Sequence, residues 1–230
     1  MEQNINPVQN VEVHKDIYLK TFLWMFLGLL ATAFVSAFSY VTGFTANFIE
    51  IWPVLLIVEV LVVIIFSLLL KKMPPSLVAV LFFIYAILNG ITLSTIFYVY
   101  KLSSIVYIFF AAAAVFGICA FYGKVTKRDL NKIGTILLVT LFVGVIISLI
   151  NLFIGSSMLD IALDWIILFA FFGITAWDMQ KVKQLAESVD GSNDKLAIYC
   201  AMELYLDFIN IFLRLSLIHI SEPTRLQLIS

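Results

Sequence analysis

IGTILLVTLFVGVIISLINLFIGSSML, residues 133–159, contains no charged residue. The hydrocarbon core of a bilayer is about 30 Å thick, and about 20 helical residues cross it. This stretch meets that length with an apolar surface on every face. Its apolar residues are continuous rather than alternating, which argues against a barrel strand. Residues 21–49, 73–100 and 102–123 are equally free of charge. Three more apolar stretches carry a few ionisable residues: 51–70 holds Glu59, 160–180 holds Asp164 and Asp178, and 196–217 holds Glu203, Asp207 and Arg214. Gly43 and Pro53 separate the first two stretches, and Pro74-Pro75 separates the second from the third, with Pro75 suited to a helix start. The expected fold is an all-α integral membrane protein with seven transmembrane helices.

Composition agrees. Of 230 residues, 63% are hydrophobic and 13% charged, whereas a soluble domain is about a quarter charged. Too few polar groups exist to cover the surface in water, so a lipid bilayer is the expected partner. A net charge of −1 gives no basis for nucleic-acid binding. Cys119 and Cys200 lie far apart in apolar runs, with no neighbouring Cys or His, and read as packing residues. No cofactor is expected. The first apolar run is too long for a cleavable signal peptide.

Basic residues set the orientation. With seven spans, and leaving aside Arg214 and Arg225 at and beyond the end of the last one, Lys15, Lys20, Lys71, Lys72, Lys124, Lys127, Arg128, Lys132, Lys181, Lys183 and Lys195 fall on one side, and Lys101 alone on the other. The N-terminus is therefore expected in the cytoplasm. The basic cluster of residues 124–132 reads first as this signal and second as a contact for anionic headgroups. Residues 1–16 form a polar N-terminal segment, expected to be loose, and residues 17–215 the transmembrane domain. Residues 216–230, SLIHISEPTRLQLIS, resemble translated adapter sequence and are expected neither to continue the helix nor to form a domain.

A carboxylate at the centre of a bilayer costs at least about 2.5–3.5 kcal/mol, so intramembrane acids mark interior or cavity positions. Glu203, Asp207, Asn210 and Arg214 are spaced 4, 3 and 4 apart, on one face of the seventh span. That stripe is expected to point inward, as functional groups or as glue between helices. Arg214 either snorkels or serves as a charge partner. Asp178 lies near the cytoplasmic end of the sixth span, where it is either functional or bridged to Lys181 or Lys183. Asp160 and Asp164, at the other end, read as interfacial. Glu59 is deep by count, which favours an interior role. Both histidines lie outside the spans, and no H-E-x-x-H occurs. No enzyme is expected.

Three segments carry a resemblance: AWDMQK at 176–181, ELYLDFINIFLRL at 203–215 and NGITLSTIF at 89–97. Over residues 17–215 the chain resembles the Bax inhibitor-1, or transmembrane Bax-inhibitor-motif, family, in a form typical of bacteria. The resemblance implies a seven-helix bundle with the seventh helix central. It implies that Asp178 and Asp207 meet near the cytoplasmic side and share a proton. Members of the family are associated with pH-sensitive calcium leak and with suppression of cell death or stress responses. A bacterial branch is associated with modulation of a membrane protease. Trp177 and Met179 stand where Tyr and Thr are usual, and Glu203 where a small polar residue is common. Some members pair the aspartates with an arginine of the second helix. Here no Arg or Lys lies between Lys20 and Lys71.

Two nearby carboxylates do not both ionise cheaply. The expectation is a pH-gated calcium leak channel or transporter with Asp178 and Asp207 as sensor, gate and Ca²⁺ ligands. Glu59, Glu203 and Asn210 would line the ion pathway. The alternative is a scaffold that regulates a membrane-protein partner. An intramembrane aspartyl protease would need G-x-G-D, but Leu204-Tyr205-Leu206 precedes Asp207. The expected location is the cell membrane, or an intracellular membrane if the source is eukaryotic.

Overall fold

The structure is a computed structural model that describes residues 7–48, 52–69, 72–99, 102–188 and 193–227. These residues form eight α-helices and a 3₁₀ segment, with no strand among them. The helices are α1 (Pro7–Val41), α2 (Trp52–Leu69), α3 (Pro75–Ser94), α4 (Ile96–Val99), α5 (Leu102–Val125), α6 (Asn131–Ile154), α7 (Ser157–Ser188) and α8 (Asp194–Gln227). Six spans among the described residues are long and apolar enough to cross a membrane. They lie in α1, in α3 with α4, and in α5, α6, α7 and α8. The expected span at 51–70 coincides with the 18-residue α2.

Both flanking segments differ from expectation. α1 begins at Pro7, so most of the polar segment 1–16 is helical. Proline at a first helical position loses nothing, because its missing N–H would have no helical partner there. At the other end, α8 continues through residue 216 as far as Gln227, and Ser216 and Ile218 are buried. Extending a formed helix costs little compared with nucleating one, so the polar residues after 216 are carried along. Residues 1–6 and 228–230 lie outside the described residues.

The chain forms two compact units. The first comprises residues 1–102 and 185–205. In it α1 crosses α3 closely, because Gly90 has no side chain. A Cβ there would stand 2.8 Å from the Thr32 carbonyl and 2.9 Å from Val35. Small residues allow this approach between apolar helices. Thr32 makes a 2.6 Å hydrogen bond with the Tyr205 hydroxyl and lies 2.9 Å from the Ala86 carbonyl. The Tyr205 ring meets Phe82 and Tyr85 edge-on, at 5.6 and 5.9 Å. Gly43, at φ +72°, ends the helical run of α1 before the 3₁₀ segment. At the start of the α1 span, Lys20 bridges Asp16 at 3.1 Å and Asp194 at 2.7 Å.

The second unit comprises residues 103–184 and 206–230. α5 packs on α8 through Phe109 and Phe116, whose rings lie 5.4 and 5.7 Å from Phe208. α6 meets α7 at glycines: Gly134 lies under the Trp177 ring and Gly173 against Leu137. Gly155, at φ +70°, makes the turn between α6 and α7, its N–H donating to the Asn151 carbonyl. Asn151 then donates to the Ser156 carbonyl at 2.9 Å and to Asp160 at 2.6 Å. Asp160 is thus part of the turn.

Candidate functional site

The motif AWDMQK lies on α7, roughly 30 Å along the helix from Ser157. Most of its residues have a distinct contact. Ala176 abuts Gly123 of α5 so closely that a Cβ on the glycine would collide with the Ala176 carbonyl. The Trp177 indole N–H donates to the Asn131 side chain at 2.9 Å. Its ring also lies 4.1 Å from the Lys181 ammonium. Met179 is buried. Gln180 holds the loop between α5 and α6: its side-chain oxygen accepts from the Leu130 N–H at 2.9 Å, and its amide donates to the Arg128 carbonyl at 2.8 Å. The side chains of Trp177, Gln180 and Lys181 and the close backbone approach at Ala176 therefore fix the α7 turn that carries Asp178.

Asp178 is 6% exposed. Its Oδ1 forms a 2.7 Å ion pair with Lys181, one turn on, which is one of the two expected lysine partners. Asp207, on α8 in the same unit, is 3% exposed. Its carboxylate lies near enough to Cys119 of α5 to act on that thiol electrostatically. The unit thus holds two buried aspartates, one on each of two helices. Carboxylates can ligate a hard cation such as Ca²⁺. Among the described residues no three Cys, His, Asp or Glu side chains gather as a metal site. A calcium ion at the aspartates would have to complete its shell with neutral oxygens.

Burial along the α8 stripe is uneven. Only Asp207 is buried, whereas Glu203, Asn210 and Arg214 are partly exposed. The apolar residues Leu204, Tyr205, Phe208, Ile209, Ile211 and Phe212 are the buried ones. Apolar packing and aromatic contacts, not the polar stripe, decide which sides of α8 are covered. Glu203 accepts from the Tyr199 hydroxyl at 2.7 Å. Asn210 donates back to the Leu206 carbonyl of its own helix at 2.8 Å. Arg214 pairs with Asp164 of α7 at 2.5 Å. Asp164, read as an interfacial acid, is therefore the charge partner of Arg214. Spacing alone could not find this pair, because it depends on how α7 and α8 align.

Glu59 is buried in the first unit and accepts a 2.5 Å hydrogen bond from Thr92 of α3. Asn89 and Tyr85 of the same helix were not singled out in sequence. Their signal was present: Tyr85, Asn89 and Thr92 are spaced 4 and 3, on one face of an otherwise apolar span.

These features define a helical, multi-pass membrane protein with buried acids. Its surface carries large exposed apolar side chains, among them Phe110, Phe142 and Phe153, which contact the lipid bilayer. A model of the family of inhibitors of apoptosis-promoting Bax1 matches residues 14–222. The chain belongs to this Bax inhibitor-1 family. It is 38% identical over 200 residues to the inner membrane protein YbhL of Escherichia coli K12, covering 84% of this chain and 86% of YbhL. A protein of Deinococcus radiodurans is 34% identical over 200 residues, covering 84% and 85% of the two chains. One from Borreliella burgdorferi is 31% identical over 217 residues, covering 90% and 92%.

Proposed function

We propose that this protein is a pH-sensitive calcium leak channel or transporter, gated by Asp178 and Asp207, and not an enzyme. The observation that carries this is the burial of both carboxylates within one unit, at 6% and 3% exposure. Charged aspartates in a membrane interior are costly and usually mark an ion or proton route. In the proposed cycle a proton shared by the pair holds α7 and α8 together. Its loss leaves two like charges, whose repulsion favours separation and opens a path for a cation. Glu59, Glu203 and Asn210 line that path in this scheme. Binding along it must be weak enough to release the ion.

The proposal includes seven spans with α2 among them, a cytoplasmic N-terminus, a bacterial cell membrane and α8 as the central helix. Burial supports the last point: 67% of the α8 span is buried, against at most 39% of the five others in α1, α3 with α4, α5, α6 and α7. The test is calcium flux into liposomes across pH. Wild type is expected to conduct weakly in acid and more as pH rises, while Asp207→Asn loses that dependence. Identical pH profiles would overturn the gating role.

A second reading is a scaffold that regulates a membrane partner in stress, cell death or proteolysis. Only 11% of the α6 span is buried, which leaves a broad apolar face. A scaffold predicts that neutralising both aspartates leaves the cellular phenotype intact, while changes on the exposed α6 face abolish it.

A further inference from the structure

A second polar site lies in the first unit, where α2 and α3 carry Glu59 and its neighbours. The Thr92 hydroxyl is 2.5 Å from Glu59 Oε1 and 3.2 Å from the Leu88 carbonyl. A hydroxyl has one proton, so it cannot donate to both oxygens. If Glu59 carries a proton, it donates to Thr92, Thr92 donates to Leu88, and both contacts become hydrogen bonds. Asn89, one turn earlier, is 4% exposed. Its Nδ2 donates to the Tyr85 hydroxyl at 3.3 Å, and its Oδ1 has no hydrogen-bond partner among the described residues. A buried carbonyl oxygen left in that state calls for a donor or a cation.

The helix itself adds another observation. α3 passes into α4 at Thr95, whose backbone stays in the right-handed helical region, at φ −62° and ψ −26°. The hydroxyls of Ser94 and Thr95 turn back onto the carbonyls of Ile91 and Thr92. Such hydroxyls compete with the helical ladder.

Among the described residues, Tyr85 of α3 and Tyr205 of α8 are the titratable groups on which Glu59 acts electrostatically, and both are phenols. No Lys or Arg occurs within α2 or α3. We propose that Glu59, Thr92, Asn89 and Tyr85 form a site for a single positive charge, supplied by a proton or a small alkali cation. One carboxylate balances one unit charge. A divalent ion would leave a net positive charge in a low-dielectric interior. The site offers the oxygen donors of a carboxylate, an amide and two hydroxyls. When an alkali cation enters the protonated site, the Glu59 O–H bond breaks and one proton leaves to water. This reassigns Glu59 from the calcium path to a monovalent site, and its binding step is testable separately from the aspartate gate.

The test uses the full chain in phospholipid nanodiscs, with infrared difference spectra of the protonated-carboxyl band. Wild type, Glu59→Gln and the Asp178→Asn/Asp207→Asn double variant are titrated with pH, and with sodium against choline chloride at fixed ionic strength. One band is expected to disappear on alkalinisation in wild type and in the double variant, and to be missing from Glu59→Gln. Loss of the band on adding sodium, with one proton released per chain, would identify the alkali cation as the charge. A band that follows pH alone would identify the proton. Either result supports the site. A Glu59→Gln spectrum identical to wild type would overturn it, as would removal of the band by calcium where sodium has no effect. If Glu59→Gln does not fold, Thr92→Val and Asn89→Leu are expected to change proton affinity about tenfold, and an unchanged titration would overturn the site. Failure of the aspartate gate would instead appear as an unaltered flux profile in Asp207→Asn.

Discussion

At the scale of single residues, the Asp164–Arg214 pair and the glycine contacts make the sharpest claims. Asp164 and Arg214 side chains are 18% and 26% exposed, so water screens their attraction only in part. Removing one partner leaves a poorly solvated charge. Asp164→Asn and Arg214→Gln should each destabilise by about 1–3 kcal/mol, and the double variant by less than their sum. Thermal unfolding in detergent measures this, and strict additivity would mean the two charges do not interact. Gly123 and Gly117 make a second contrast, both lying on α5. A Cβ at 123 collides with the Ala176 backbone, whereas at 117 it meets nothing within 4 Å. Gly123→Ala should cost about 1–3 kcal/mol through forced backbone shifts. Gly117→Ala should be neutral or stabilising, by up to about 1 kcal/mol. The sequence made Arg214 conspicuous but not its partner. Polar residues on one helix advertise themselves by breaking an apolar run, while the identity of the facing residue depends on tertiary alignment.

At the scale of elements, sequence reading found the apolar cores of the helices and missed their ends. Lipid requires every backbone group in a span to be paired internally, so each apolar run of sufficient length must be helical. No such rule operates in water. α7 therefore runs to Ser188 and α8 to Gln227, well past the expected ends at 180 and 217. The same limit hid the function of Gln180, a polar residue at the margin of a span. Its two hydrogen bonds tie the backbone at Arg128 and Leu130 to the turn that carries Asp178. Gln180→Ala removes both and should cost about 1–2 kcal/mol. The readout is limited trypsin digestion: cleavage after Lys127 or Arg128 should become several-fold faster in the variant. An unchanged rate would show that the clamp does not restrain the loop.

At the scale of the whole molecule, the question is how many times the chain crosses. With Arg214 and Arg225 left aside, the eleven-to-one split of basic residues emerges only if the 51–70 stretch spans. Omitting that one crossing places basic segments on both sides, against the usual bias. The residues of α2 are apolar enough for the purpose, and Glu59 is sheltered within its unit by Thr92. Parity makes this testable. Between the N-terminus and the loop at Lys127 lie α1, α2, the α3–α4 pair and α5. Four crossings return the chain to its starting side, and three do not. Cys119→Ala and Cys200→Ala would remove the native thiols, one partly buried and one buried. Single cysteines would then be placed as Gln3→Cys, Lys127→Cys and Met158→Cys, the last at an exposed position early in α7. In intact cells a membrane-impermeant maleimide should label only Met158→Cys. Gln3→Cys and Lys127→Cys should react together after permeabilisation. Labelling of Gln3→Cys and Lys127→Cys from opposite sides would remove α2 from the spans, and the seven-span arrangement with it.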